Sequence, residues 1–175
     1  MPLIHHTRPA LAAHPSRSKG FTLVEVLVAA LVLGIGLLGL AGIQSLGLRG
    51  NLSAVQRSTA TLLASEMIDR LRANPEAVQS GSYNNQVGLG SANCLFQTCS
   101  VTDLADYELN LWSQDLAARL PGGVGAVCID SFPDDGDPAA NGCDGTGTTY
   151  AVKIWWDDNR TGDPQQYQRF VTSFQ

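Results

Sequence analysis

From Phe21 to Ile43 the only polar side chains are Thr22 and Glu25. A helix over those residues, at about 1.5 Å per residue, reaches roughly 35 Å, enough to cross a hydrocarbon core of about 30 Å. An ionised Glu inside such a span costs on the order of 2.5–3.5 kcal/mol, so Glu25 needs a partner or a purpose. The plainer alternative is an interfacial carboxylate that reaches back to the headgroups. The helical pattern continues past Ile43. Leu48, Leu52, Val55, Thr59 and Leu62 step by four and three, and Ala60, Ala64, Met67, Ile68 and Leu71 then take over a rotated face. Glu66 and Arg70, four apart, are placed to pair on the exposed side. Asn74-Pro75 ends the pattern, because proline disfavours helical geometry in the residue before it. The spacing therefore predicts one helix of about fifty residues, roughly 80 Å long.

Residues 76–101 are rich in Ser, Gly, Asn and Gln with little apolar periodicity, which predicts an irregular connection. Thr102 is a candidate N-cap, with Asp103 and Asp106 in the first turn where the helix dipole favours acids. Leu104, Tyr107, Leu111 and Leu116 give that helix an apolar face, and Pro121-Gly122-Gly123 ends it. Val124–Asp130, Tyr150–Asp157 and Tyr167–Phe174 carry strand patterns. Trp155 and Trp156 must point to opposite faces of their strand. One belongs in the core against the long helix, and the other sits under a loop or faces a neighbouring subunit. The predicted fold class is α+β, a long N-terminal α-helix (membrane span plus stem) packed on a small antiparallel β-sheet head.

Charge is distributed unevenly. Residues 1–20 carry Arg8, Arg17 and Lys19 and no acid, whereas all 16 Asp and Glu follow Gly20, so the later side chains sum to 8 − 16 = −8. Basic residues flanking one end of a span stay in the cytoplasm, which places the C-terminal portion outside it. An acidic head without a basic stripe excludes a nucleic-acid partner. All three histidines (His5, His6, His14) precede Gly20. With no later His, and Lys153 as the one later lysine, there is no nucleophile–base pair to suggest an enzyme.

Lys19-Gly20-Phe21-Thr22-Leu23-Val24-Glu25 resembles the class III signal of type IV prepilins. An ordinary secretory signal loses its apolar region, because its cleavage site follows it; here Gly20 precedes the span. The resemblance implies that a prepilin peptidase cuts between Gly20 and Phe21 and that the new Phe21 terminus is methylated. Glu25 becomes the fifth residue of the processed chain. Phe21 and Glu25 are then the expected subunit-assembly residues, and the fold implied is type IV pilin-like. The expected divisions are a cleaved leader (1–20), a long helix (21–75) with its span at 21–43, and a periplasmic globular head (76–175). Leu33-Gly34-Ile35-Gly36-Leu37-Leu38-Gly39-Leu40-Ala41-Gly42 and Asp69-Arg70-Leu71-Arg72-Ala73-Asn74-Pro75 are similar to the PilV branch of the minor pilins. That likeness implies a minor pilin of the inner membrane and then the pilus, priming filament assembly with other minor pilins and the assembly machinery, and supporting twitching motility and adhesion. A minor pseudopilin of type II secretion shares the same signal and helix, and a pilus-tip adhesin is the alternative of a different class.

Glycines at 34, 36, 39, 42, 47 and 50 interrupt the helix at up to about 1 kcal/mol each against Ala. They serve either close helix packing or a weak segment that unwinds on assembly. In an oxidising compartment the four cysteines are expected to pair. Three connectivities exist, and nearness in sequence favours Cys94–Cys99 and Cys128–Cys143, the second worth about 3 kcal/mol for its loop length. Zinc is excluded by the ligand set, with no CxxC spacing and no later His. Asp130, Asp134, Asp135, Asp137 and Asp144 gather oxygen ligands of the kind calcium takes, but their spacing does not match an EF-hand and a solvated acidic loop is the commoner outcome. No metal and no cofactor is expected.

Overall fold

The computed structural model describes residues 20–84 and 93–174. The expected leader apart from Gly20, and positions 85–92 of the expected connection, lie outside the described residues. The elements run α1 (Leu23–Ala73), α2 (Pro75–Gln79), α3 (Val101–Arg119), β1 (Val124–Ile129), β2 (Tyr150–Trp156), a 3₁₀ turn (Pro164–Gln166) and β3 (Gln168–Phe174). The chain divides into two compact units, 1–46 and 47–175. In the first, every described residue is exposed.

In the second unit the two apolar stripes of α1 have different fates. Ala60, Leu63, Ala64, Met67 and Leu71 are buried, whereas Leu48, Leu52, Val55 and Leu62 stay exposed. The rotated face is thus the core face. Arg70 does not join Glu66 as expected; its guanidinium donates to the carbonyl of Glu108 (3.4 Å), drawn toward α3 instead. Asn74-Pro75 ends α1 and also starts α2. Asn74 is its N-cap, accepting from the Ala77 N–H (3.4 Å), and Pro75 occupies the first turn, where a missing N–H costs nothing. That helical turn lies in the stretch expected to be irregular. Its five residues are too few to show a period.

The cap of α3 lies two residues before the expected one, at Ser100 rather than Thr102. Ser100 accepts from the Asp103 N–H (3.1 Å) while the Ser100 N–H reaches the Asp103 carboxylate (3.4 Å), a reciprocal capping box. Its buried face is also displaced by about one residue from the one expected. Ala105, Leu109, Trp112 and Leu116 are buried, and Leu104, Tyr107 and Leu111 are only half-buried. The large indole of Trp112 decides the rotation, because its N–H finds a buried acceptor at Leu63 O, 2.9 Å away.

The sheet is antiparallel in the order β1-β2-β3. Register places Val127 opposite Val152 and Ile154 opposite Phe170. Val127, Tyr150, Val152, Ile154 and Trp156 join the buried residues of α1 and α3 in one core. Gly125 lets α3 approach β1 closely: a Cβ there would lie 2.4 Å from the Trp112 ring. Gly122, at φ +58°, makes the turn out of α3 directly beneath the Tyr167 hydroxyl, which a Cβ would meet at 2.6 Å. Trp156 faces the core, and Trp155, on the opposite face, is buried as well. The outer face of the sheet therefore has a cover, and the 130–149 loop supplies it.

Candidate functional site

Two groups of residues carry chemistry beyond packing. The first is the start of α1. The Thr22 hydroxyl accepts from the Glu25 N–H (3.3 Å), and the Thr22 carbonyl accepts from the N–H groups of Glu25 (3.1 Å) and Val26 (3.3 Å). Thr22 is thus the N-cap, and Glu25 sits in the first turn, where the partial positive charge of the helix end favours a carboxylate. Gly20 and Phe21 precede the helix, and Phe21 is 81% exposed. The Gly20–Phe21 peptide lies in non-helical, open backbone of the sort a protease can bind. No atom of the described chain comes within 4 Å of where a Gly20 Cβ would stand, so the fold itself would accept a side chain there.

Beyond that start, residues 20–52 are all exposed, although 26–48 contain no charged side chain. A helix apolar on every side and buried by none of the described residues belongs among lipid or partner helices. The exposed stripe Leu48, Leu52, Val55 and Leu62 extends the apolar character into the second unit, where Ala54, Val55, Ser58, Thr59 and Leu62 form a shallow trough. The hydroxyls of Ser58 and Thr59 are turned back onto the carbonyls of Ala54 and Val55 (both 3.0 Å), which leaves that face less polar than its sequence.

The second group is the loop over the outer face of the sheet. Cys128 and Cys143 form a disulfide, and Cys94 and Cys99 form another. Lys153, in the middle of β2, is fully buried, a state that lysine adopts only when paired. Its Nζ lies 2.5 Å from Asp130 Oδ2 and 2.8 Å from Asp135 Oδ1, and donates to the carbonyls of Asn141 (3.0 Å) and Asp135 (3.3 Å). Arg169 adds donors to the carbonyls of Gly136 (3.0 Å) and Asp134 (2.5 Å). These contacts clamp the loop down and bury Trp155.

Of the acidic side chains of that loop, Asp130 and Asp135 converge on Lys153, whereas Asp137 and Asp144 are directed at local donors. Asp137 accepts from the N–H groups of Ala139 (2.7 Å) and Ala140 (2.8 Å). Asp144 accepts from the Ser131 hydroxyl and from the Thr146 N–H (2.7 Å), and these bonds lower its pKa to about 2. Cys128, Asp130 and Cys143 bring ligand atoms within 4.8 Å of one another, but both sulfurs are spent in the disulfide. Sequence reasoning singled out the acids and missed Lys153 as their organiser. The signal was present: one lysine in an otherwise apolar strand, Tyr150-Ala151-Val152-Lys153-Ile154-Trp155-Trp156.

Apart from these two groups, a structural cluster joins the helices. Asn74 donates to the carbonyl of Val101 (3.2 Å) and to the Tyr83 hydroxyl (3.4 Å), and that hydroxyl donates to the Glu108 carboxylate. Burial first, and then the bond to Glu108, raise the Tyr83 pKa above the ordinary phenol value. The Asn74 position is therefore a structural joint.

Residues 15–41 match the prokaryotic N-terminal methylation motif, and residues 42–110 match the family described as Type IV pilin Tt1218. No curated protein and no solved structure matches the chain. The chain carries a prepilin methylation motif, which implies processing by a prepilin peptidase, and a type IV pilin domain. Its long apolar helix and three-stranded antiparallel sheet agree with the type IV pilin fold, although all three strands lie beyond residue 110.

Proposed function

We propose that this pilin is a minor subunit of the PilV kind, which joins other minor pilins in a complex that primes type IV pilus assembly and so supports twitching motility and adhesion. The observation that carries this reading is the segment 20–52, exposed throughout, uncharged from 26 to 48, and headed by a capped, solitary Glu25 behind an open Gly20–Phe21 peptide. Such a helix needs a bilayer before assembly and neighbouring helices after it. The protein would sit first in the inner membrane with a periplasmic head, and the head disulfides suit that compartment. The role is structural rather than enzymatic: after Gly20 there is no histidine, and the only lysine is buried and paired. What favours PilV over a pseudopilin is the helix end Arg72-Ala73-Asn74-Pro75, whose Asn74 holds the joint between α1, α2 and α3.

The test is co-purification of the tagged full chain from detergent-solubilised membranes, with N-terminal sequencing of the product. Minor pilins in the eluate and a terminus at Phe21 support the reading. Pseudopilins of a secretion system in their place would assign the chain to that machine, and any terminus other than Phe21 would sink the processing scheme. Gly20→Val should remain in the membrane uncut, since the fold leaves room for the side chain and the peptidase does not.

A further inference from the structure

We propose that Lys153 and Asp130 are joined covalently by an intramolecular isopeptide bond, formed without a cofactor inside the folded head. Both side chains are fully shielded from water. Lys153 Nζ stands 2.5 Å from Asp130 Oδ2, closer than the roughly 2.7–2.9 Å of a charge-assisted N–H···O bond. The contact is not aligned as a hydrogen bond either, since Oδ2 has no hydrogen-bond partner. An ammonium has three donors, and three other oxygens take them: Asp135 Oδ1, Asp135 O and Asn141 O. The nearest oxygen is thus the one the nitrogen does not serve as a donor. Once it has given up a proton, a nitrogen held so close to that carboxyl group can turn its lone pair toward the carboxyl carbon.

The surroundings supply what amide formation needs. Burial disfavours separated charge, so transfer of one proton from the ammonium to the Asp130 carboxylate, by way of the Asp135 carboxylate that accepts from Nζ, leaves a neutral amine beside a neutral acid. The lone pair of Nζ then adds to Cγ of Asp130. Negative charge develops on Oδ1, which already accepts from the Phe132 N–H at 3.0 Å, an oxyanion donor fixed in advance. The Asp135 carboxylate, 2.8 Å from Nζ, takes the next proton from nitrogen and passes it to the departing Oδ2 hydroxyl. One N–C bond forms, one C–O bond breaks, and one water leaves. No oxidant or reductant is required. The side chain of Asp135 is 54% exposed, which gives that water a route to solvent. Holding the two groups in contact removes the entropic barrier that makes amide formation from free acids and amines slow.

The bond would close the outer loop a second time, beside the Cys128–Cys143 disulfide, and would survive reduction. The processed full chain is denatured, reduced and alkylated, and digested with chymotrypsin, which cuts after Trp112, Tyr150 and Trp155 and spares Phe132-Pro133. The peptide holding Asp130 and the peptide holding Lys153 should stay together as one branched species, lighter by one water than their sum. Asp130→Asn should end at the same branched mass, because ammonia leaves where water did. Lys153→Arg should give separate peptides. Asp135-Gly136 and Asp144-Gly145 can also lose water by cyclising, but that loss joins no peptides. An ordinary ion pair predicts that the two parent peptides separate, and that result overturns the bond. Full joining in Asp135→Asn overturns the proton relay.

Discussion

The indole N–H of Trp112 donates to the main-chain carbonyl of Leu63 at 2.9 Å, in a fully buried setting that ties α3 to α1 across 49 positions of sequence. Around it lie Leu63, Met67, Leu109 and Leu116, none more than 1% exposed. Trp112→Ala should lower the unfolding free energy by about 3–5 kcal/mol, the cost of emptying a large buried aromatic site. Denaturant unfolding followed by the fluorescence of Trp155 and Trp156 measures it, since both indoles remain. An unchanged midpoint would mean that the two helices are held together elsewhere.

Asn74 is the other point where helices meet. Asn74→Ala removes the cap of α2 and also the bonds that the Asn74 amide gives to the Val101 carbonyl and to the Tyr83 hydroxyl, which keeps its bond to Glu108. A lost cap costs about 1 kcal/mol, and each of the two further hydrogen bonds lost about 0.5–1.5 kcal/mol more. Ser100→Ala, which removes only an exposed cap of α3, should cost about 1 kcal/mol. The ordering of the two variants in the same unfolding assay is the prediction. Equal losses would show that Asn74 acts as a cap alone.

Stability should fall at both ends of the pH scale, for different reasons. Asp144 is held at about 2 by bonds from Ser131 and Thr146, and Asp157 is also lowered, chiefly by the Gly162 N–H. Both folded values lie below the unfolded value near 3.9, so what these groups contribute is present above about pH 4 and is lost as pH falls toward 2. Tyr83 is displaced the other way, by burial and by Glu108, and Tyr150 by burial. Their contribution is present below the unfolded phenol value of about 10 and is lost as pH rises beyond it. Unfolding midpoints across pH should therefore show an acid limb that Asp144→Ala flattens and an alkaline limb that Tyr83→Phe flattens. A limb unaltered by its variant would place the titrating group elsewhere.

The elements that could be read from sequence are those with long, regular patterns. The end of α1 at Ala73 and the three strands lay within a residue or so of their expected limits, because Asn74-Pro75 and the alternation in 150–156 are strong local signals. The face of α3 was less legible. Leu104, Tyr107 and Leu111 have the right spacing, yet a single acceptor at Leu63 O rotates the helix toward Trp112. No one-dimensional pattern contains that acceptor. The loop failed for a related reason. Asp130 and Asp135 invite a cation when read alone, and the cation they meet is Lys153, 18 to 23 positions downstream on the central strand. The start of α1, expected at Phe21, falls at Leu23, and the cap that sets it went unread although Thr22 and Glu25 have the threonine-x-x-glutamate spacing of a capped N-terminus.

Glu25 is where that start becomes a mechanism. Cleavage after Gly20 would expose an α-amine at Phe21, and both that cation and Glu25 would enter an apolar environment as the subunit docks. Among the described residues no cation pairs with Glu25, and the next basic side chain along the helix is Arg49. A partner must come from outside the segment. The Phe21 amine of one subunit and Glu25 of the next would lie at nearly the same membrane depth, so axial docking can bring them together. An opposite charge counts for most where water is scarce, and an unpaired one costs most there, which gives docking both drive and register. The competing account is that Glu25 serves only to guide the peptidase or the methylating enzyme. Glu25→Ala separates the two. The Thr22 cap does not use its side chain, and the core of the second unit lies far along the sequence, so the variant should fold and insert. It should still be cut to Phe21, yet be absent from the complex recovered with tagged minor pilins. If it is recovered at the level of the parent chain, the charge pairing is not what assembles this subunit.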